Sequence, residues 1–356
     1  MRTVVLHIGA MKTGTSYIQS ILASNRELLA ERGVLFPGQT WRHQRKATQD
    51  LLAKRQPTPD GLGSWAHLAD EVRSFDGDRA VISMEFLSFA SREVAERAVG
   101  AFAPDEVRVV LSLRDLARVI PAQWQETTQN MRDWPYAKYL DDLMSEQPRK
   151  TEYGPHFWNR QRWPRILRAW QPWVTPDNLV VVTVPPSGSP SNVLWERFCE
   201  ASGIASDGFD LKGFDNDSLG GVSAELMRRV SHEAAERGLD DDEYHVLKSQ
   251  LAKRTLVHRR RSEPAILIPP SRREWTDRTS RLMIDEVKQI GALVVGDLEE
   301  LMPRWPDVAP ANATSDPGGL SSDELLDAAI DGLIGLAARV PGPRRSSRRA
   351  TVGNRP

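Results

Sequence analysis

The segment LHIGAMKTGTSYIQSIL, residues 6–22, puts a lysine, two threonines, a serine and two glycines into one short turn between an apolar run and an amphipathic one. At a strand-to-helix turn these residue types can hold a phosphate-like anion. The first N–H groups of a helix have no partner inside it, the helix dipole is positive there, and hydroxyls and an ammonium group add donors. Gly9 and Gly14 keep the spacing of the nucleoside-triphosphate loop G-x-x-x-x-G-K-[ST], and Ser16 keeps its hydroxyl. Thr15, however, stands where that loop carries its lysine, and the lysine lies further back at Lys12. From there it can reach around an anion from the strand side, opposite the N–H groups of residues 13–16, which include Thr13.

Three other places carry residues able to do chemistry. In LSLRDLARVIPAQWQE, Arg114 follows a β-rich run and Arg118 lies one helical turn later, so two guanidinium groups can share a face. In AVISMEFL, Glu85 follows another such run. A carboxylate beside a partly dry cleft has a raised pKa and can act as a base near neutrality. His7 is the rival base, although a histidine inside a strand is more often packed and satisfied. The run KRTLVHRRR, residues 253–261, is the densest basic stretch inside the fold. It reads as a solvated face, a cover for a phosphate, or a nucleic-acid contact, and the lack of interleaved aromatic residues argues against the last.

GAMKTGTS resembles the 5′-phosphosulfate loop of the sulfotransferases that use 3′-phosphoadenosine 5′-phosphosulfate (PAPS), in particular bacterial members. The resemblance implies a P-loop-like α/β fold, with Lys12 on the oxygen that bridges phosphate and sulfate. Gly9, Thr13, Gly14, Thr15 and Ser16 would belong to the cofactor loop. Arg114 matches the arginine of the family's 3′-phosphate motif, and Arg118 would assist it. That motif has a serine eight residues after the arginine, where this chain has Ala122. A hydrogen bond to a charged group contributes roughly 1.5–3 kcal/mol, so the departure bears on cofactor affinity unless Arg118 or Gln123 compensates. Glu85 matches the acid read as base for the acceptor hydroxyl. Weaker echoes lie in HFWNRQRWPRILRAWQPWVTPDNLVVVTV, with His156, Arg160 and Arg162 as possible acceptor contacts, and in NDSLG at 216–220 and GALVVGDLEELMPRW at 291–305.

The implied function is sulfuryl transfer from PAPS to a hydroxyl, less readily an amine, of a glycan, glycolipid or small natural product. A non-catalytic nucleotide-binding member of the fold and a P-loop kinase are the alternatives. Metal chemistry is not expected, because seven histidines and one cysteine show no ligand spacing.

The elements that must position these residues are legible as patterns. Apolar β-rich runs at Thr3–Ile8, Ala80–Met84, Val107–Leu113 and Leu179–Val184, with a shorter one at Val34–Phe36, predict about five parallel strands covered on both faces. Helical patterns over Ser16–Arg32, Phe157–Trp173 and Val193–Ser202 alternate with them, which predicts a three-layer α/β sheet with ligands at the carboxyl ends of the strands. The expected organisation is an α/β domain over 1–306 with a helical insert at about 211–281. A linker at 307–319, a C-terminal helix within 320–340 and a disordered basic tail over 341–356 follow.

Composition sets the outer bounds. The 356 residues carry 47 Lys+Arg against 48 Asp+Glu, so any anion site is local and nucleic-acid binding finds no global support. The single Cys199 rules out an internal disulfide and fits a reducing, cytoplasmic compartment. No apolar run reaches the roughly 18 residues of a membrane span, and the strand pattern begins almost at Met1, so neither an anchor nor a signal peptide is expected.

Overall fold

A computed structural model describes residues 2–53, 64–130, 132–212, 218–308 and 310–339. The tail at 341–356, residues 216 and 217 of the NDSLG stretch, and position 309 of the linker lie outside the described residues.

Each apolar run forms a strand: β1 (Thr3–His7), β2 (Val34–Leu35), β3 (Arg79–Ser83), β4 (Glu106–Leu113) and β5 (Leu179–Thr183). Three more follow, β6 (Ala265–Ile266), β7 (Leu293–Val295) and β8 (Ala313–Thr314). The main sheet is parallel in the order β2-β3-β1-β4-β5-β7, and β6 pairs with β8 in a separate two-stranded sheet. The sheet thus has six strands, the five marked by apolar runs and one more at its edge. Its extra edge strand, β7, is three residues long, and its Leu293 and Val294 are exposed. Its apolar run, residues 292–295, is short and lies at the edge of the sheet, open on one side.

Successive residues of the central strands enter different cores, as the two-residue side-chain period requires. Val4, Leu6, Ile82, Val109 and Leu111 face a large core built with the helices Leu116–Thr128, Trp163–Trp170 and Arg273–Ile290. Val5, Val81, Val110, Val180 and Val182 face a second core built with α1 (Thr15–Ser24), α2 (Arg26–Glu31) and the helix Val193–Ser202. These two cores make the three layers.

Two expected helices are interrupted, each for a local reason. The pattern over Ser16–Arg32 breaks at Asn25, whose side-chain amide donates to Ile21 O at 2.8 Å and to Asp210 O at 3.0 Å, while its Oδ1 accepts from Asp210 N at 2.9 Å. An asparagine that takes backbone partners from a distant loop ends the helix there. The pattern over Phe157–Trp173 divides at Arg162 into Gly154–Gln161 and Trp163–Trp170, just before Pro164, which cannot continue an existing helix.

Beyond the sheet, the chain from Leu211 to Arg281 is mainly helical, with Gly221–Glu236 its longest complete helix. The C-terminal helix Ser322–Ala337 starts with a capping box from Ser321 and Glu324, and packs Leu325 and Ala328 against Val222.

Parallel register fixes where the functional side chains emerge. His7 pairs with Ser83 and with Val110, and Leu113 pairs with Thr183. The loop after β1, Glu85 after β3, Arg114 after β4 and the turn after β5 therefore share the carboxyl edge of the sheet.

Candidate active site

The loop after β1 is shaped by backbone conformations that favour glycine. Gly9 (φ 92°) and Gly14 (φ 82°) lie in the left-handed half of backbone space, and so does Lys12 (φ 63°). A non-glycine residue there costs on the order of 1–2 kcal/mol, so the surrounding structure must impose it. Three contacts do. Gln161 donates to Met11 O at 2.9 Å, Arg114 Nη1 donates to Lys12 O at 3.3 Å, and Thr13 Oγ1 donates to Ala10 O at 2.6 Å. Left-handed residues punctuating a turn create the concavity of N–H groups that receives an anion. The two glycines also solve a space problem. A Cβ on Gly9 would stand 3.0 Å from Glu85 Cβ, and one on Gly14 would stand 2.5 Å from Leu194 Cδ2. Gly14 is the N-cap of α1, whose first turn carries Thr15 and Ser16.

Beside this loop lies a cavity of about 580 Å³. Its walls include Lys12, Gly14, Thr15, Ser16 and Glu85 on one side, and Arg114, Arg118 and Ala122 on another. Gly9 and Thr13 stand behind the wall, Gly9 packed on Glu85 and Thr13 fully buried. The structure therefore brings the sequence-predicted residues to one place.

Glu85 is held by Gln19 Nε2 at 3.1 Å, the same amide that donates to Ser83 O at 2.8 Å. Burial pushes its carboxyl above the ordinary glutamate value, and the nearby negative charge of Glu126 adds to the rise. The bond from Gln19 and the charge of Lys12 oppose it. Glu126, on the helix Leu116–Thr128, also lines the cavity and lies 3.5 Å from Lys12 Nζ. Lys12 thus sits among two carboxylates and the loop.

Arg114 is the most unusual cation in the cavity. Burial lowers its pKa to about 10, with further lowering by Arg118 and Arg260, and its Nε has no hydrogen-bond partner. Arg118 pairs with Asp115 through its Nε, and its two Nη groups donate to Pro185 O at 3.0 Å and Val184 O at 3.4 Å. Asp115 is itself the cap of the helix Leu116–Thr128, accepting from Arg118 N at 3.0 Å. Ala122 faces the cavity, whereas Gln123 is buried and bonds with Glu126 and Gln161.

Other candidates lie elsewhere. His7 is fully buried, its two ring nitrogens within hydrogen-bond distance of Ser83 Oγ (2.8 Å) and Ser112 Oγ (2.9 Å), and burial lowers its pKa to about 3. It is a neutral strut between three strands. His156 packs edge-on against Trp134, Arg160 lies over Phe89, and Arg162 reaches Glu286 at 3.9 Å, so none of the three lines the cavity.

Reading the sequence missed Gln19, Glu126 and Gln161. Their roles depend on helix directions, and only the i, i+4 spacing of Ala122 and Glu126 on one helix face hints at the shared wall. Among the described residues, no group of three or more His, Cys, Asp and Glu is placed to hold a metal ion, and no helix is long and apolar enough to cross a membrane.

No family model matches this chain, and no curated protein matches it. Among solved structures, a sulfotransferase from Alicyclobacillus acidocaldarius aligns with it at 16% identity and a TM-score of 0.38, over 69% of this chain and 99% of that one.

Proposed function

We propose that this protein transfers a sulfuryl group from PAPS to a hydroxyl of a second substrate. The observation that carries the reading is the meeting, in one cavity, of an anion-shaped loop with its lysine inside it, a carboxyl of raised pKa, and an Arg114 whose charge is disfavoured by burial and by the nearby Arg118 and Arg260. A buried cation with an orphaned Nε beside two like charges is costly until an anion arrives. PAPS offers two anions, a 5′-phosphosulfate and a 3′-phosphate, and supplies a sulfuryl group already bonded to a good leaving oxygen.

In this reading the N–H groups of residues 13–16 hold the 5′-phosphate, and Lys12 stabilises charge on the bridging oxygen. Lys12 must exchange Glu126 for that oxygen. A partly exposed ion pair at 3.5 Å is worth about 0–1 kcal/mol, so the exchange costs little. Arg114 and Arg260 take the 3′-phosphate, with Arg118 held firmly beside them. Glu85 accepts the proton of the attacking hydroxyl as the new oxygen–sulfur bond forms. Catalysis is then positioning plus electrostatic stabilisation. A kinase reading lacks the lysine at Thr15, and a non-catalytic binder leaves a base of raised pKa beside the loop without a task.

Ala122 provides a test of the 3′-phosphate site. A hydroxyl placed there faces the cavity on the same helix as Arg118, so Ala122→Ser should tighten adenosine 3′,5′-bisphosphate binding by roughly 1–2 kcal/mol in calorimetry, or about tenfold. Unchanged affinity would remove the phosphate from this wall. No measurable binding to either protein would remove the proposed function.

A further inference from the structure

A second cavity, about 960 Å³, opens beside the first and shares Ser16, Glu85, Leu219 and Arg260 with it. Its other walls are the outer side of α1, including Gln19, Ser20 and Ala23, then Trp41, and the segment from Ala252 to Arg261. Lys253, His258, Arg260 and Arg261 all line it, and Glu85 is the one carboxylate among the described residues that do. The carboxyl taken as base therefore stands where two chambers meet, and the second chamber is strongly cationic.

The fold holds this basic wall in place. Arg259 turns away from the chamber, donating to Glu263 at 2.9 Å and to Asp327 at 2.8 Å and pairing also with Asp331. Asp327 and Asp331 belong to the C-terminal helix Ser322–Ala337. The small residues of that helix allow close approach: a Cβ on Gly332 would lie 2.7 Å from Leu251 Cδ1, and one on Gly335 would lie 2.2 Å from Thr255 Cγ2. The C-terminal helix thus anchors residues 251–259, while Lys253, His258 and Arg261 stay exposed on the chamber side.

We infer that the second cavity is the acceptor chamber and that it selects a hydroxyl compound carrying a negative charge. This rests on the sulfuryl-transfer reading, and it names the substrate class of the same site. The acceptor's anionic group meets Lys253 and Arg261, the partly exposed Trp41 offers an apolar edge, and the hydroxyl reaches Glu85 at the junction. On transfer, the acceptor oxygen bonds to sulfur, the bond from sulfur to the bridging oxygen breaks, and the hydroxyl proton passes to Glu85. Ammonium and guanidinium groups facing one chamber favour carboxylate, phosphate or sulfate over a neutral analogue through charge-assisted hydrogen bonds, and they draw it in from solution.

The experiment uses the full chain saturated with adenosine 3′,5′-bisphosphate and paired acceptors of similar size in which a neutral group replaces the carboxylate, para-nitrophenyl glucoside against glucuronide and para-hydroxybenzamide against para-hydroxybenzoate. Calorimetry at low and high salt should show the acid member of a pair binding at least tenfold tighter, with the preference shrinking as salt rises. In the Lys253→Ala/Arg261→Ala protein that preference should fall by about tenfold or more, toward equal binding of the two members, at unchanged melting temperature and unchanged bisphosphate affinity. Equal binding of both members, binding of no acid, or a preference untouched by the double substitution overturns the inference. Loss of bisphosphate affinity in the double variant also overturns it, since the basic wall would then serve the nucleotide. A wild-type protein that binds no bisphosphate refutes the sulfuryl-transfer reading itself, so the two failures are distinct.

Discussion

Glu85→Gln should lose turnover by a factor on the order of 10²–10⁴ while binding adenosine 3′,5′-bisphosphate as the parent does. Glutamine keeps the shape of the side chain and an oxygen for Gln19 Nε2, but it accepts no proton from an acceptor hydroxyl. An interaction made only as the proton moves lowers kcat without weakening the ground state. Single-turnover sulfate transfer beside calorimetry separates the two. The pH profile sharpens the test. The base is the ionised form, so parent activity should fall as pH drops through the raised pKa of Glu85, and level off above it. Glu126→Gln removes one cause of that rise and should move the falling limb to lower pH; Glu85→Gln should abolish the limb. Stability runs the other way. A carboxyl whose folded pKa lies above its unfolded value contributes least once the pH has risen through the folded value, so Glu85→Gln should not lower the melting temperature at neutral pH. A structural glutamate would show the reverse pattern: normal transfer and a lower melting temperature.

Lys12→Ala should lose both turnover and affinity, and the split between them reports the role of the lysine. Removing one preorganised donor from a developing charge costs about 10²–10³ in rate. The same ammonium also meets the ground-state phosphosulfate, so bisphosphate affinity should fall by roughly tenfold, within the range of one charge-assisted hydrogen bond. The parent conformation predicts a further effect. Lys12 occupies a left-handed backbone conformation, and alanine there gains nothing to offset the strain. Lys12→Gly should therefore be the more stable of the two variants and equally inactive, as thermal melts and transfer assays can show. A Lys12→Ala protein with weaker binding but full turnover would place the lysine on the nucleotide rather than on the leaving oxygen.

The parts of this molecule that were legible in the sequence are those set by local pattern. Val4 to Leu6 and Val109 to Leu111 read as strands covered on both faces because neighbouring residues in each enter different cores. The loop was legible because glycine, lysine and hydroxyl residues each have a local reason to be there. β7 was not, since its short apolar run, residues 292–295, follows the long helix Arg273–Ile290 directly and reads as a continuation of that helix's apolar pattern. Residues that act through tertiary placement were also hidden. Glu126 looks like any helix-surface glutamate until Lys12 is brought to 3.5 Å from it, and Gln161 gives no sign that it braces Met11. The three adjacent arginines 259, 260 and 261 are equivalent as text. Packing sorts them: Arg259 joins the C-terminal helix, Arg260 lines both cavities, and Arg261 lines the second alone.

The early lysine and the arginine wall should select a 3′,5′-bisphosphate nucleotide over a magnesium-bound triphosphate. A thermal melt of the full chain decides between them, with adenosine 3′,5′-bisphosphate in chelator on one side and magnesium–ATP on the other. The bisphosphate should stabilise the protein without magnesium, by about 2.7 kcal/mol at a hundred times its Kd. Magnesium–ATP at the same concentration should do far less, since Thr15 stands where its lysine would be. Stabilisation by magnesium–ATP alone would mean that the loop serves a triphosphate and that sulfuryl transfer is not its reaction.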